Sequence, residues 1–369
     1  MRKNNFYLNR REIILVASIF VAVMVIGVGT YAAYIYHKAN EAIESMAAPS
    51  TSSKPSTTQG AIPGATPGAI DKQKGEGLQP MTFMITGVDS RDGSDGSMNT
   101  DVMMLVALNP QTNAATIVSI PRDLEVKAGE FSAHKINYFY PYYYNQDRTT
   151  AITNAKVFYS ELFGVPLDYM AVIDFQGFVQ VVDELGGLKL DVDMDMKYID
   201  NEDGTDINLV QGYQELDGKN ALDFVRYRKS NRGTAESSDL ARNQRQQQVI
   251  KQLVDKLGSF NGLANLGDIL EIIGGNVKSD IPADTLRSWI KSFRELKPDQ
   301  IEFIHLDGEW QSPYIVPKEE DLKAAILAFK NRVGLIEDPS SGLDDLAAKM
   351  GLVPEANSPE VDFDNSSAN

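Results

Sequence analysis

The chain has no cysteine, which excludes disulfides and thiolate-bound zinc. Histidine is nearly as scarce. His37, His134 and His305 are the only three, and they do not cluster. A His-rich metal centre is therefore not expected, and any metal would be a hard, oxygen-liganded ion such as Mg²⁺ or Mn²⁺. Positive charge is in deficit, with a formal net charge of −16 over 369 residues. Residues 1–40 hold five basic residues and one acidic, leaving 30 basic against 50 acidic residues, a balance of −20 for the rest. An acidic body argues against nucleic-acid binding, which depends on a basic surface that neutralises phosphates. The acidity is read as solubility. No internal repeat is present, and no aromatic residue occurs between His37 and Thr82.

Long apolar runs are absent except for one. Residues 13–36, Ile13 to Tyr36, form an uninterrupted stretch of 24 without a charge. At about 1.5 Å rise per residue it spans a hydrocarbon core of about 30 Å. It exceeds the apolar region of a signal peptide, which runs to about 15 residues, although small residues around Ala47 and Ala48 leave cleavage as an alternative. Arg2, Lys3, Arg10 and Arg11 precede the run and Lys38 alone follows it closely. The positive-inside rule then puts residues 1–12 in the cytoplasm and the rest outside, with Tyr31, Tyr34 and Tyr36 at the outer interface.

After this transmembrane helix, residues 37–80 read as a flexible spacer, rich in Ala, Pro, Ser, Thr and Gly over 47–69. A globular body follows over 81–335. Residues 336–369 read as an acidic, largely disordered tail with a short helix near Leu343–Met350. Within the body, Phe83–Val88, Val102–Leu108 and Ala115–Ile120 read as strands, the last two joined by a turn at Asn109–Asn113. Leu188 to Met196 alternates as a strand. Val179–Leu185, Arg242–Leu257, Ala283–Phe293 and Glu319–Phe329 read as helices. The expected class is α/β, a central mixed β-sheet flanked by helices and preceded by one transmembrane helix.

Against this background carboxylates and arginines recur. Asp89 and Arg91 stand in ITGVDSR, Asp101 in NTDVMML, Arg122 in SIPRD, Arg226 and Arg228 in FVRYR, and Asp239, Arg242 and Gln246 in DLARNQRQ. Carboxylates that hold a divalent cation, beside arginines that fork onto phosphate, suit a pyrophosphate. With the membrane anchor, they suggest an enzyme outside the membrane acting on a lipid-linked pyrophosphate. The connections bring three of these residues together. Asp89 closes the first strand, Asp101 opens the second and Arg122 follows the third, so the hairpin through Asn109–Asn113 puts all three at one sheet end. Arg226 and Arg228 share a face if Ala221–Arg228 is a strand, and Arg242 and Gln246 share a helix face.

These motifs resemble the LytR–CpsA–Psr family of Gram-positive cell-wall proteins. ITGVDSR, TDVMML, SIPRD, HKIN, DELGG at Asp183–Gly187, LDG at Leu216–Gly218, FVRYR and RNQRQQ stand in the family's order. The resemblance implies a phosphotransferase that moves a glycopolymer from an undecaprenyl-pyrophosphate carrier to peptidoglycan through a phosphodiester. It implies Mg²⁺ (or Mn²⁺) at Asp89 and Asp101. It implies pyrophosphate and lipid head-group contacts from Arg122, Arg226, Arg228, Arg242 and Gln246. Asp239 matches a family acid, and Arg91 a motif arginine. The partners implied are the polyprenyl-linked glycan donor, the peptidoglycan acceptor and the membrane. One departure is Asn99, where the family usually has arginine; Arg91 or Arg148 would compensate, the lipid donor would differ, or activity would be reduced.

Competing readings of the same residues are a non-catalytic wall-glycan or lipid-binding scaffold, a pyrophosphatase using water as acceptor, and a transcriptional attenuator. The expected topology disfavours the last. Ser119 is read as a strand residue, since no activating base accompanies it. Phe158, Leu162, Phe163, Val172, Phe175, Phe178 and Val182 line a prenyl tunnel or form core. The tyrosine-rich segment Tyr138–Tyr144 either stacks on sugars or packs half-buried. Asp191, Asp193 and Asp195 read as a solvated strand face, and His134 as structural.

Overall fold

A computed structural model describes residues 30, 33–46, 78–89, 99–128, 131–201, 204–259, 265–335, 346–347 and 349–350. In chain order the elements are α1 (33–46), β1 (Met81–Asp89), β2 (Asn99–Asn109), β3 (Ala114–Ser119), β4 (Glu125–Val126), β5 (His134–Lys135), α2 (Phe139–Gln146), α3 (Ala151–Phe163), β6 (Tyr169–Asp174) and α4 (Phe175–Glu184). There follow β7 (Leu188–Val192), β8 (Met196–Asp200), β9 (Thr205–Leu209), β10 (Gly212–Leu216), α5 (Gly218–Arg226), α6 (Asp239–Leu257), α7 (Leu266–Asn276) and β11 (Val277–Ser279). The last are α8 (Ala283–Lys291), α9 (Phe293–Leu296), β12 (Gln300–His305), β13 (Gly308–Gln311), β14 (Tyr314–Pro317) and α10 (Glu319–Arg332).

A six-stranded sheet in the order β11-β6-β1-β2-β3-β12 organises the chain. The β1–β2, β2–β3 and β6–β11 pairs are antiparallel, and β1–β6 and β3–β12 are parallel, so the sheet is mixed. Strand alternation divides its residues between two faces. On one face Met84, Val88, Met103, Leu105 and Val118 join Phe139, Tyr159, Leu322 and Phe329 from α2, α3 and α10 in the main core. The opposite face carries Met104, Ile117 and Ser119, which lie against Gln246 and Ile250 of α6. A second core holds β7–β10 against α5 and α6 through Leu188, Leu190, Val192, Phe224 and Val249. The α/β reading, helices flanking a central mixed sheet, holds.

Two sequence motifs turn out to be structural locks. The Asp183 carboxylate of DELGG accepts the backbone N–H of Gly218 in LDG at 2.7 Å. Asp217 caps α5 by accepting from the Asn220 N–H at 2.8 Å, which satisfies one orphan donor of the first turn. A side chain at Gly218 would meet the Val179 carbonyl oxygen of α4 at 2.1 Å. Gly218→Ala must therefore push two backbones apart. It is expected to cost roughly 1–3 kcal/mol or more, read as an earlier midpoint in urea at unchanged slope.

Three expectations change. Residues 33–46 are helical, so the flexible spacer does not begin at 37. Ala39, Ala42, Ile43 and Met46 are buried against Leu270 of α7. The helices touch because α7 presents Gly267 and Gly274, where a Cβ would strike Tyr34 and Ala42. Lys38–Glu271 at 2.5 Å and Arg287–Asn40 at 2.8 Å flank the contact. Likewise part of the tail is packed. Leu346, Ala347 and Met350 are buried, and the Lys127 N–H donates to the Lys349 carbonyl at 2.7 Å. Finally, the strand expected over Leu188–Met196 stops at Val192, and Met196 opens β8. Among the described residues no helix is long and apolar enough to cross a membrane. Most of the expected span, including residues 13–29, lies outside them.

Candidate active site

The site grows from the end of the sheet where β1 stops and β2 starts. Register along this pair runs Gly87↔Val102, then Val88↔Thr100, so Asp101 has no opposite residue in β1. It is the extra residue of a β-bulge, a device that re-aims a side chain and sharpens local twist. Asp101 is ion-paired with Arg122, and both stay partly open to solvent. The Arg122 loop is fixed from behind. Its carbonyl accepts from the Asn137 N–H at 3.3 Å, and the Thr100 hydroxyl donates to the Asn137 carbonyl at 3.1 Å. The HKIN motif is thus the backing of the SIPRD loop. Asp123 next door pairs with Lys135 at 2.8 Å.

Asp89, at the end of β1, accepts from Arg226 at 3.2 Å. Here the structure corrects the sequence reading: Ala221–Arg226 is helix, not strand. Arg226 is the last residue of α5, and Arg228 follows the helix end, exposed. The two arginines therefore reach the site from a helix C-terminus and not from one strand face. The Arg226 guanidinium also lies 5.4 Å from the ring centre of Phe175, a cation–π contact.

α6 completes the wall. Ser238 caps it, accepting from the Ala241 N–H at 3.1 Å. Gln246 accepts a hydrogen bond from the Ser119 hydroxyl at 3.3 Å, placing this face of α6 over the end of β3. Burial, with Arg228, Arg122 and Arg245 close by, pushes the Arg242 guanidinium down to about 10. It remains charged at neutral pH, with like charges as its strongest electrostatic neighbours. Such a cluster favours an anion. Inorganic pyrophosphate is expected to raise the melting temperature of the protein, more at low salt than high, because ligand bound to the folded state stabilises it. Arg242→Ala should abolish most of that shift in thermal-melt titrations.

Beneath α6 a small gap, roomy enough for about one water, is lined by Met104, Ile117, Ile250 and Phe303, with Ser119, Asn243, Gln246, Gln247 and His305 as polar members. His305 closes β12 opposite Ser119. Burial holds its imidazole below the ordinary histidine range; Asp307 opposes that shift and Arg242 reinforces it. Its buried Nδ1 has no hydrogen-bond partner. The sequence reading passed over His305 because nothing near it in sequence marks a site. Only the β3–β12 pairing brings it beside Ser119.

The other expected site residues fall as follows. Arg91 lies outside the described residues, and Asp239 is the first residue of α6. Asn99 stands opposite Asp89 across β1–β2. Arg148 lies over the Tyr144 ring at 5.1 Å. The residues suggested for a prenyl tunnel are largely core: Phe158, Leu162, Phe163 and Val172 in one cluster, Val182 and Phe178 in the other. Asp193 is exposed as expected, and it is also the partner of Arg245, which is fully buried, at 2.6 and 2.7 Å. Among the described residues no three acidic or histidine side chains gather to hold a metal. Asp89 and Asp101 offer two carboxylates. That donor set fits Mg²⁺, which keeps several waters and takes phosphate oxygens as further ligands.

A model of the LytR_cpsA_psr family matches residues 33–328. The chain belongs to the LytR_cpsA_psr family. The match includes residues 33–46, so the docked helix lies within it. Among relatives, the polyisoprenyl-teichoic acid–peptidoglycan teichoic acid transferase TagU of Bacillus subtilis is 30% identical over 279 residues, 75% of this chain and 80% of that protein. TagU of Oceanobacillus iheyensis is 30% identical over 248 residues, 65% of this chain and 72% of its own length. Among solved structures, protein gbs0355 from Streptococcus agalactiae superposes with TM-score 0.58 at 24% identity, over 69% of this chain and 88% of that one. TagT bound to LI-WTA superposes with TM-score 0.53 at 24% identity, over 72% and 94%. These superpositions show the fold of the mixed sheet described above, and the two TagU relatives are named as transferases.

Proposed function

We propose that this chain is a membrane-anchored, extracytoplasmic phosphotransferase, anchored by the apolar run that precedes the docked part of α1. It transfers a glycopolymer from a polyprenyl-pyrophosphate carrier to peptidoglycan. The observation that carries this reading is a cationic cluster. Arg122, Arg228 and Arg242 gather at the sheet end that also carries the Asp101–Arg122 and Asp89–Arg226 pairs. The pyrophosphate of a lipid-linked donor is the kind of anion such a cluster suits.

Phosphoryl transfer asks the protein for alignment and charge neutralisation more than for covalent chemistry. Arg122, Arg226, Arg228 and Arg242 surround the pyrophosphate. Asp101 orients Arg122 and Asp89 orients Arg226. An acceptor sugar hydroxyl attacks the glycan-linked phosphorus, the P–O bond to polyprenyl phosphate breaks, and the hydroxyl proton passes to one of the two carboxylates. The product is a phosphodiester, and polyprenyl phosphate is the leaving group. Mg²⁺ or Mn²⁺ held through Asp89 and Asp101 would supply neutralisation of the pyrophosphate oxygens. Ser119 has a different part: its hydroxyl is occupied by Gln246, which suits a strand residue and not a nucleophile.

The test is a transfer assay with the full chain in detergent micelles, Mg²⁺, a polyprenyl-pyrophosphate oligosaccharide and peptidoglycan oligomers. Mass spectrometry should find a phosphodiester-linked product. Free sugar phosphate would instead indicate a pyrophosphatase, and lipid binding without any product a scaffold.

A further inference from the structure

We infer that Trp310 is a sugar-stacking platform that receives a pyranose ring of the peptidoglycan acceptor at the rim of the site. Trp310 lies on the β13–β14 hairpin and is 59% exposed. That exposure is unusual for the largest apolar side chain, but a protein has one good use for an exposed indole beside a polar site. The faces of pyranose rings carry C–H groups that stack on an aromatic plane, and their hydroxyls need donors nearby.

The hairpin is fastened to the site. The Ile315 N–H donates to the Asp123 carbonyl at 2.8 Å, and Leu124 and Ile315 form a parallel bridge. The Tyr314 hydroxyl donates to the Ala133 carbonyl at 2.8 Å. Trp310 pairs with Ile315 across the hairpin, one strand from the segment that carries Arg122. Side chains complete the link. The Lys135 ammonium lies 5.9 Å from the centre of the Trp310 ring and 2.8 Å from Asp123, and Asp123 in turn lies 3.7 Å from Arg122. Exposed Tyr138 lies against His134, with ring centres 4.2 Å apart and the planes tilted, beside Lys135. The indole is therefore anchored by backbone hydrogen bonds and fronted by a cation able to donate to sugar oxygens.

The acceptor is assigned to this rim because its hydroxyl must reach the phosphorus beside Arg122, an assignment that rests on the proposed transferase function. Trp310 is linked to Arg122 through Lys135 and Asp123, so a sugar stacked on the indole lies next to the reacting phosphate.

The chain contains two tryptophans, which makes a direct test possible. Trp289 packs against Phe83 and Tyr169 at 5.6 and 5.3 Å, so Trp310 alone reports on a rim ligand. Soluble GlcNAc–MurNAc oligomers should change the emission of full-length Trp289→Phe, and leave Trp310→Phe unaffected. In the transfer assay Trp310→Ala should raise the acceptor KM about tenfold with donor KM and kcat unchanged, and Trp310→Phe should recover part of the loss. Silence of Trp289→Phe at saturating oligomer would overturn the inference. So would an emission change given only by the soluble donor oligosaccharide, which would make the rim a donor site. Because emission needs no turnover, a ring that binds in a protein that transfers nothing would sink the transferase reading and leave the sugar platform standing.

Discussion

Asp101→Asn is expected to lower transfer by about 10²–10⁴-fold while the protein stays folded. The substitution keeps the shape of the side chain at the bulge and removes its charge. Arg122 then loses the carboxylate that aims it, and the site loses one of the two oxygen donors suited to Mg²⁺. Binding separates these effects. Without divalent cation, pyrophosphate should bind the variant at least as well as the parent, since a negative charge beside the anion has gone. With Mg²⁺ present, the parent should gain affinity and the variant should gain little. Full activity in Asp101→Asn, or a loss of pyrophosphate binding without Mg²⁺, would count against this assignment.

The largest stability effect should come from a residue outside the site. The Arg245 side chain is 1% exposed, and its guanidinium meets Asp193, which is 37% exposed. Replacing Asp193 by asparagine leaves a buried cation without its counter-charge, which costs roughly 3 kcal/mol, the low end for buried pairs because Asp193 reaches water. For a domain of this size that is a fall of about 6–12 °C in melting temperature. Arg245→Met should be milder. It leaves behind only a carboxylate that can be hydrated, and it keeps apolar contact with the rings of Phe224 and Tyr227. If Arg245→Met proves the more damaging of the two, the hydrogen bond to the Tyr227 carbonyl matters more than the charge.

The contrast between these two aspartates shows what a sequence reveals. Asp101 and Arg122 could be brought to one sheet end by connectivity alone, because a hairpin constrains residues about twenty apart. The bulge that aims Asp101 was invisible, since it depends on how β2 pairs with β1 and not on β2 itself. Asp193 read as surface because it sits among alternating acids, and its partner lies 52 residues further on. The Ala221–Arg228 segment was left open as a strand, although Asp217 and Gly218 before it are a helix start. His305 and Phe303 came to line the gap beneath α6 through a parallel pairing between β3 and β12 that no local pattern announces. Local rules thus recovered elements and their ends; contacts between distant segments settled which apolar residues are core and which line the gap.

The docking of α1 alters what a break in the chain would do. Between residues 46 and 78 the polypeptide leaves the docked helix and returns to begin β1. Were this segment a simple tether, a single protease cut would release the sheet from everything that precedes it. With Ala39, Ala42 and Ile43 seated on α7, the same cut leaves the two fragments meeting at a helix–helix interface. The clipped protein then behaves as a complemented pair, and the peptide link is not the sole attachment of the domain.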